Sequence, residues 1–125
     1  MTDKRKKTEL GVLKINNGVI ASIARNAALQ VNGVQGVKTS SLSMILDIFN
    51  KGYHRKGISL DINENENENE IKIGITIIVR FGVNIPEIAT LVQESIRNAV
   101  EDMTGLSVAE VDVSIGDIHA ETDGN

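Results

Sequence analysis

Residues 71–118 read IKIGITIIVRFGVNIPEIATLVQESIRNAVEDMTGLSVAEVDVSIGDI, and this stretch decides the fold. Its first part alternates between apolar and other residues, which indicates a strand with one buried face; the apolar positions are Ile71, Ile73, Ile75, Ile77, Val79 and Phe81. After Gly82 the apolar residues recur at spacings of three and four, which predicts a helix; they are Ile85, Ile88, Ala89, Val92, Ile96, Ala99, Val100 and Met103. The period of two returns at Val111, Val113 and Ile115, so the predicted order is strand, helix, strand.

Capping residues mark both ends of this predicted helix. Asn84 is a good N-cap, Glu87 stands three residues later as in a capping box, and Pro86 falls in the first turn, where a missing N–H costs little. Gly105 follows the apolar stripe and can take the left-handed conformation that ends many helices. These signals specify a fold, and none of them specifies a reaction.

The first half of the chain predicts another helix with a narrower apolar stripe. Its residues recur at helical spacing and include small alanines, which allow close approach to a sheet or to another helix; they are Ile20, Ile23, Ala24, Ala27 and Val31. Asn16 or Asn17 can cap the start of this helix. The pair Asn32-Gly33 can end it, because both residues tolerate positive φ.

Shorter apolar patterns predict the remaining strands. Residues 11–15 precede the first helix, residues 58–62 alternate in period two, and an extra short strand fits residues 34–39. The predicted architecture is α+β: a two-layer βαββαβ-type domain whose sheet is mostly antiparallel, with both long helices packed on one face.

The length of 125 residues fits one domain that builds its core without disulfides or metals. We expect this domain at 10–118, between a disordered basic tail at 1–9 and a disordered acidic tail at 119–125. The Asn-Glu repeat at 63–70 lies between two predicted strands and predicts a flexible hairpin loop. A short amphipathic helix fits 42–49, where it could pack on the core or dock a partner.

Composition excludes several classes of function. The chain has no cysteine, so thiol catalysis, disulfides and Cys-ligated zinc are ruled out. Its net charge of −4 and its few aromatic residues, two Phe and one Tyr, argue against a dedicated nucleic-acid binder. No apolar run approaches the ~18 residues of a membrane span. We therefore expect a soluble cytoplasmic protein.

Two segments resemble ligand-binding loops only in part. Residues 33–36 match the GxxG pattern of KH-type RNA-binding loops, but they follow a helix, precede an extended stretch and lack a basic residue. The oxygen-rich repeat at 63–70 could suggest calcium, but the residue positions and flanking helices of an EF-hand are missing. A turn and a hairpin connection are the preferred interpretations, and no metal site is expected.

Basic segments and isolated histidines complete the search for a site. Residues 4–7 could contact anionic lipid or nucleic acid weakly, and the basic loop 51–57 could bind an anion, but a solvated terminus and a solvated turn are simpler interpretations. His54 and His119 have no ligand or catalytic neighbours in the sequence, and no nucleotide-binding or zinc motif is present. The sequence predicts no catalytic residue, no metal and no cofactor.

Several segments taken together are similar to one known family. They are Gly11-Val12-Leu13-Lys14-Ile15, Val31-Asn32-Gly33-Val34, Lys56-Gly57-Ile58, Phe81-Gly82-Val83-Asn84-Ile85-Pro86-Glu87-Ile88-Ala89, Gln93, Met103-Thr104-Gly105-Leu106 and Val111-Asp112-Val113. Over residues 10–118 the chain resembles the alkaline-shock / general-stress protein family of Gram-positive bacteria. The resemblance implies a small protein without a defined catalytic activity, linked to envelope stress and homeostasis. It also implies self-association and, through an envelope-associated partner, recruitment to the membrane.

The sheet face away from the helices is the predicted interaction site. On the strand at 71–81 this face carries Lys72, Thr76, Ile78 and Arg80, and on the last strand it carries Glu110 and Asp112, followed by Ser114. An apolar residue among charges of both signs suits protein recognition better than phosphate binding. We expect self-association or docking of an envelope-associated protein here. An RNA-binding module on the same face is the alternative, although no nucleic-acid partner is expected.

Overall fold

The described part of the chain consists mainly of seven strands and two helices. This computed structural model describes residues 3–38, 53–55, 58–62 and 70–120. The strands are β1 (Asp3–Thr8), β2 (Gly11–Asn16), β3 (Val34–Val37), β4 (Tyr53–Arg55), β5 (Ile58–Ile62), β6 (Glu70–Arg80) and β7 (Ser107–His119). The helices are α1 (Asn17–Leu29) and α2 (Ile85–Thr104).

The strand β6 is the centre of the main sheet. β7 runs parallel along one of its edges, from Glu70 opposite Ser107 to Arg80 opposite His119. Two antiparallel strands share the other edge: β5 pairs with the first half of β6 and β3 with the second half, while β4 lies beyond β5. The predicted α+β fold with a mostly antiparallel sheet is confirmed, and the extra strand predicted at 34–39 is present as β3.

The alternation of β6 builds the core. Every second residue of this strand is at most 2% exposed: Ile71, Ile73, Ile75, Ile77 and Val79. These side chains belong to one apolar cluster with the stripes of both helices, in which Val92, Ile96 and Val100 of α2 are fully buried. In α1 the small buried side chains allow the helix to lie close to its neighbours; they are Ala21, Ala24, Ala27 and Ala28. Both helices therefore cover the same face of the sheet.

The sequence indicates both ends of α2 and the start of α1, but α1 ends at Leu29, before the predicted Asn32-Gly33. The Asn84 side-chain oxygen accepts the Glu87 N–H at 3.0 Å. Gly105 has a φ of 75° and donates its N–H to a carbonyl of the last helical turn at 2.9 Å. In α1 the cap is Asn16, whose side-chain oxygen accepts the Gly18 N–H at 2.7 Å. Each bond satisfies a backbone group that has no partner within its own helix.

The first residues differ from the expected disordered tail at 1–9. Asp3–Thr8 form β1, which pairs antiparallel with β2 through a two-residue turn. This strand has no signature in the sequence, because its basic residues do not alternate with apolar ones and its partner is the adjacent strand rather than the core. β1 and β2 form a two-stranded sheet of their own, so the strand predicted at 11–15 lies outside the main sheet.

The last strand extends beyond the residues whose alternation indicates it in the sequence. The alternation predicts a strand at 111–115 and a disordered tail from His119, whereas β7 runs from Ser107 through His119. Two extra residues, Ala109 and Gly116, shift the register of its pairing with β6. Each such bulge displaces the following side chains by one position, and this interrupts the alternation that would reveal the strand.

Three predicted segments lie wholly or partly outside the described residues. They are the amphipathic helix at 42–49, the basic loop at 51–57, of which Tyr53–Arg55 form β4, and the Asn-Glu loop at 63–70, whose last residue begins β6. Residues 33–36 lead from α1 into β3, so the GxxG pattern does not join two helices as it does in a KH-type module.

A close contact fixes the turn after α1. Gly33 has a φ of 107°, and a Cβ at this residue would lie 3.0 Å from Ile88 Cδ1 and 3.1 Å from Val83 Cγ1. The Gly33 carbonyl also accepts the Arg80 N–H at 2.8 Å. Gly82 has a similar φ of 100°, but a Cβ there would meet no atom within 4 Å. Gly33 is therefore constrained by both its backbone and its neighbours, and Gly82 by its backbone alone.

We expect Ile96→Ala to lower the free energy of unfolding by about 2–5 kcal/mol, because it leaves a cavity at a fully buried position. Arg97→Ala is the matched control on the outer side of α2. It should change the free energy of unfolding by about 0.5 kcal/mol or less, since the side chain is exposed and its ion pair with Glu101 is loose. Denaturant unfolding measures both values. The reverse ranking would contradict the orientation of α2.

Gly33→Ala should destabilise the fold more than Gly82→Ala, by about 1–3 kcal/mol. Both substitutions force an L side chain into the left-handed region, but only the first also meets Ile88 and Val83. Thermal and denaturant unfolding of the two variants beside the parent isolate the contribution of the contact. Equal losses would mean that the side chains near Gly33 move aside without cost.

Candidate interaction face

The two longest strands present polar side chains on the face away from the helices, called here the open sheet face. Pairing between β6 and β7 sets its residues opposite one another, as Lys72–Glu110, Gly74–Asp112, Thr76–Ser114, Ile78–Asp117 and Arg80–His119. The row on β6 supplies basic residues, and the row on β7 supplies acidic ones. The structure therefore brings together the six residues of the predicted face: Lys72, Thr76, Ile78, Arg80, Glu110 and Asp112.

Ile78 is the apolar centre of the open sheet face. Its side chain is half-buried, and Gly36 of β3 lies beside it, since a Cβ at Gly36 would be 3.8 Å from Ile78 Cδ1. Thr76 and Arg80, on either side along β6, are also half-buried, whereas Lys72 is exposed. The face thus combines one partly covered apolar side chain with charges that remain in contact with water.

Lys38 lies across the open sheet face, and no pattern in the sequence predicted it there. Its N–H donates to the Thr76 carbonyl at 2.9 Å, and its Nζ donates to the Gly116 carbonyl at 3.2 Å. A Cβ at Gly116 would lie 2.6 Å from Thr76 Cγ2 and 2.9 Å from Lys38 Cδ. The missing side chain of Gly116 therefore makes room for Lys38, which bridges from the end of β3 to β7 and adds a positive charge beside the acidic row.

Asp117 extends the acidic row toward the end of β7. The pKa of its carboxyl is lowered, mainly because the carboxylate accepts the Ile118 N–H at 2.9 Å. Desolvation acts in the opposite direction, and the neighbouring His119 and Lys38 lower the pKa of Asp117 further. His119 Nε2 lies 3.3 Å from Asp117 Oδ2. At neutral pH Asp117 therefore contributes a negative charge to the open sheet face.

Two side chains of α2 bind the outer edge of β7. Gln93 Nε2 donates to the Val111 carbonyl at 2.9 Å, and Glu101 Oε2 accepts the Val108 N–H at 2.8 Å. An open groove of about 430 Å³ lies between the helix and the strand. The sequence indicates only that Gln93 belongs to the polar side of α2, because its acceptor lies in a different element.

Neither a metal-binding cluster nor a membrane-spanning helix is present among the described residues. Within the described ranges, no three or more His, Asp, Glu or Cys side chains come close enough to hold a metal ion. None of the described helices is both long enough and apolar enough to cross a membrane. The arrangement on the open sheet face, with paired rows of opposite charge around an apolar centre, can bind a surface of complementary shape and charge.

Known proteins are similar to this chain over nearly its whole length. The model of the alkaline-shock protein 23 family, described as having a "cell envelope-related function", matches residues 5–120. "Uncharacterized protein YqhY" of Bacillus subtilis (strain 168) is 36% identical over 119 residues, which are 92% of this chain and 82% of that protein. "Uncharacterized protein YloU" of the same strain is 29% identical over 109 residues, which are 87% of this chain and 89% of that protein.

Solved structures are more distantly similar. One described as "MamM CTD D249N - Zinc form" has 17% sequence identity and a TM-score of 0.45, and the match covers 87% of this chain and 90% of that one. A TM-score below 0.5 supports no conclusion about this chain, and the zinc in that description belongs to that protein alone.

We expect Gly116→Ala to lower the free energy of unfolding by about 1–3 kcal/mol, because the new methyl group meets Thr76 Cγ2 and displaces Lys38. Thr76→Ser removes that Cγ2 while keeping the hydroxyl, so Gly116→Ala with Thr76→Ser should recover part of the loss. Denaturant unfolding of the single and double variants gives the coupling between the two sites. Strict additivity would show that the two residues are not in contact.

Proposed function

The chain belongs to the alkaline-shock protein 23 family, whose described function is related to the cell envelope, and on this premise we propose that it is a non-enzymatic interaction protein of the envelope. It acts by self-association and by docking an envelope-associated protein, both through the open sheet face. It is a cytoplasmic protein of the envelope stress response, and that partner holds it at the membrane. The observation that supports this function best is the half-buried Ile78 within the basic row of β6, directly beside the acidic row of β7.

The two charged rows make the open sheet face complementary to itself. Lys72 and Arg80 stand on β6, whereas Glu110, Asp112 and Asp117 stand on β7. A second copy turned about a two-fold axis parallel to the strands, between β6 and β7, would set the basic row of one molecule over the acidic row of the other. The two Ile78 side chains would then lie side by side across the axis. Such an isologous contact closes on itself and gives a dimer.

A protein partner fits the open sheet face better than RNA does. The acidic row would lie against any phosphate backbone that followed the basic row, and close like charges oppose binding. A protein surface can instead match both rows at once, because proteins carry charges of both signs. An envelope-associated protein that docks here would therefore present an acidic strip beside a basic one, with an apolar residue opposite Ile78.

We expect Ile78→Glu with Arg80→Glu to weaken self-association at least about tenfold, because it turns part of the basic row acidic and removes the apolar centre. The matched control is Leu91→Glu with Arg97→Glu, which makes the same two replacements at exposed residues of α2. Sedimentation velocity across a concentration series measures association, and circular dichroism confirms folding. Lys72→Glu, at an exposed position, tests the same face without disturbing the half-buried isoleucine.

We expect the parent chain to form oligomers and to bind an envelope-associated protein. A parent that stays monomeric at high concentration and retains no such protein from a membrane fraction would rule the function out. A folded face variant that assembles as well as the parent would instead exclude the open sheet face as the interface. Equal weakening in the control pair would assign the effect to net charge alone.

A further inference from the structure

The hairpin formed by β1, the turn Glu9-Leu10 and β2, residues 3–16, stands apart from the main sheet. Among the described side chains of β2 only Ile15 is buried, and the residues from Gly11 through Lys14 are exposed. An isolated two-stranded hairpin is at best marginally stable in water, so most hairpins pack against another surface. In the described chain this hairpin pairs with no other strand.

The turn presents a leucine at the tip of the hairpin. Thr8 Oγ1 accepts the Leu10 N–H at 3.3 Å and donates to the Gly11 carbonyl at 3.2 Å, so its hydroxyl closes the turn. Leu10 is 100% exposed, and Val12 and Leu13 are 56% and 46% exposed. Because neighbouring residues of a strand face opposite sides, apolar side chains lie on both faces of β2 as well as at the tip.

The hairpin carries a charge opposite to that of the rest of the chain. Five basic residues and two acidic residues lie in positions 3–16, a net charge of +3; they are Lys4, Arg5, Lys6, Lys7 and Lys14 against Asp3 and Glu9. The whole chain has a net charge of −4, so the residues after position 16 carry −7. An anionic surface therefore attracts the hairpin and repels the remainder of the molecule, which favours approach with the hairpin first.

We propose that this hairpin docks on the surface of an anionic membrane. Leu10, with Val12 and Leu13 beside it, enters the boundary between headgroups and acyl chains, and the basic residues of β1 and Lys14 bind lipid phosphates. A patch that combines basic and apolar residues is the usual requirement for reversible binding to a membrane surface. This contact involves lipid directly, and it is separate from the open sheet face and from any protein docked there.

Other occupants match only part of these features. RNA would satisfy the positive charge but leave Leu10, Val12 and Leu13 in water, and residues 3–16 contain no aromatic side chain on which bases could stack. A protein groove would have to receive the tip and supply acidic groups along the same hairpin. An anionic bilayer supplies both an apolar layer and a continuous negative surface without any requirement for shape.

Vesicle sedimentation with the whole chain tests the proposal. The parent should pellet with vesicles of phosphatidylcholine and phosphatidylglycerol, remain free with phosphatidylcholine alone, and be released as the salt concentration rises. Lys6→Glu with Lys7→Glu should weaken binding at least about tenfold, and Leu10→Ser at least about fivefold. The matched controls are Arg25→Glu with Arg97→Glu, on the two helices, and Leu91→Ser, which should change binding by about twofold or less. Circular dichroism confirms that each variant is folded.

The absence of cysteine allows a direct measurement of insertion. Leu10→Cys and Leu91→Cys are each labelled with a fluorophore that shifts to the blue in an apolar environment. With the phosphatidylglycerol vesicles the label at position 10 should shift, and the label at position 91 should not. No binding to these vesicles, equal losses in the control variants, or no shift at position 10 would overturn the proposal. Tighter binding to polyuridylic acid than to vesicles would assign the hairpin to RNA instead.

Discussion

The alternation of side chains along β6 is the constraint on which the rest of the structure depends. Five of its residues fill the core beneath both helices, so the residues between them must lie on the opposite face whatever their chemistry. A shift of one position would place Lys72 and Arg80 in the core and the isoleucines in water. The burial of one face of β6 therefore determines which residues lie on the opposite face. Because β7 pairs along the whole of β6, the same constraint sets the acidic row beside the basic one.

Local signals in the sequence were enough to predict the elements at the centre of the fold. Asn84 and Gly105 mark the ends of α2 because capping depends on neighbouring backbone groups, and the alternation of β6 is visible because its buried face is continuous. The contacts that could not be predicted join distant parts of the chain. The Lys38 side chain donates to the Gly116 carbonyl, 78 positions later in the chain. The Gln93 side chain of α2 donates to the Val111 carbonyl of β7. No local pattern in the sequence indicates such pairs. The two bulges interrupt the alternation of β7, and the run of basic residues in β1 has no alternation with apolar residues.

The two proposed surfaces differ in how far their charges act. On the open sheet face, basic and acidic residues stand on neighbouring strands, so their fields cancel within a short distance and matter mainly at contact. The positive charge of the hairpin is not balanced by its own residues, and its field extends as far as screening allows, about 8 Å at physiological ionic strength. The described relation of the family to the cell envelope is compatible with both kinds of contact. A molecule of this design can meet a charged surface before it selects a protein on that surface.

The outer edge of β7 has a consequence for the behaviour of the protein at high concentration. In the described chain this strand pairs only with β6, and an uncovered edge can add strands from other molecules and start aggregation. Glu101 and Gln93 occupy outward backbone groups at Val108 and Val111, so the first part of the edge is closed to such pairing. Beyond Val111, pairing of two β7 strands along this edge would bring the carboxylates of Asp112 and Asp117 close to those of the second copy. The edge therefore resists growth into fibres, and the proposed contact between copies would rest on side chains, which can separate again when the concentration falls.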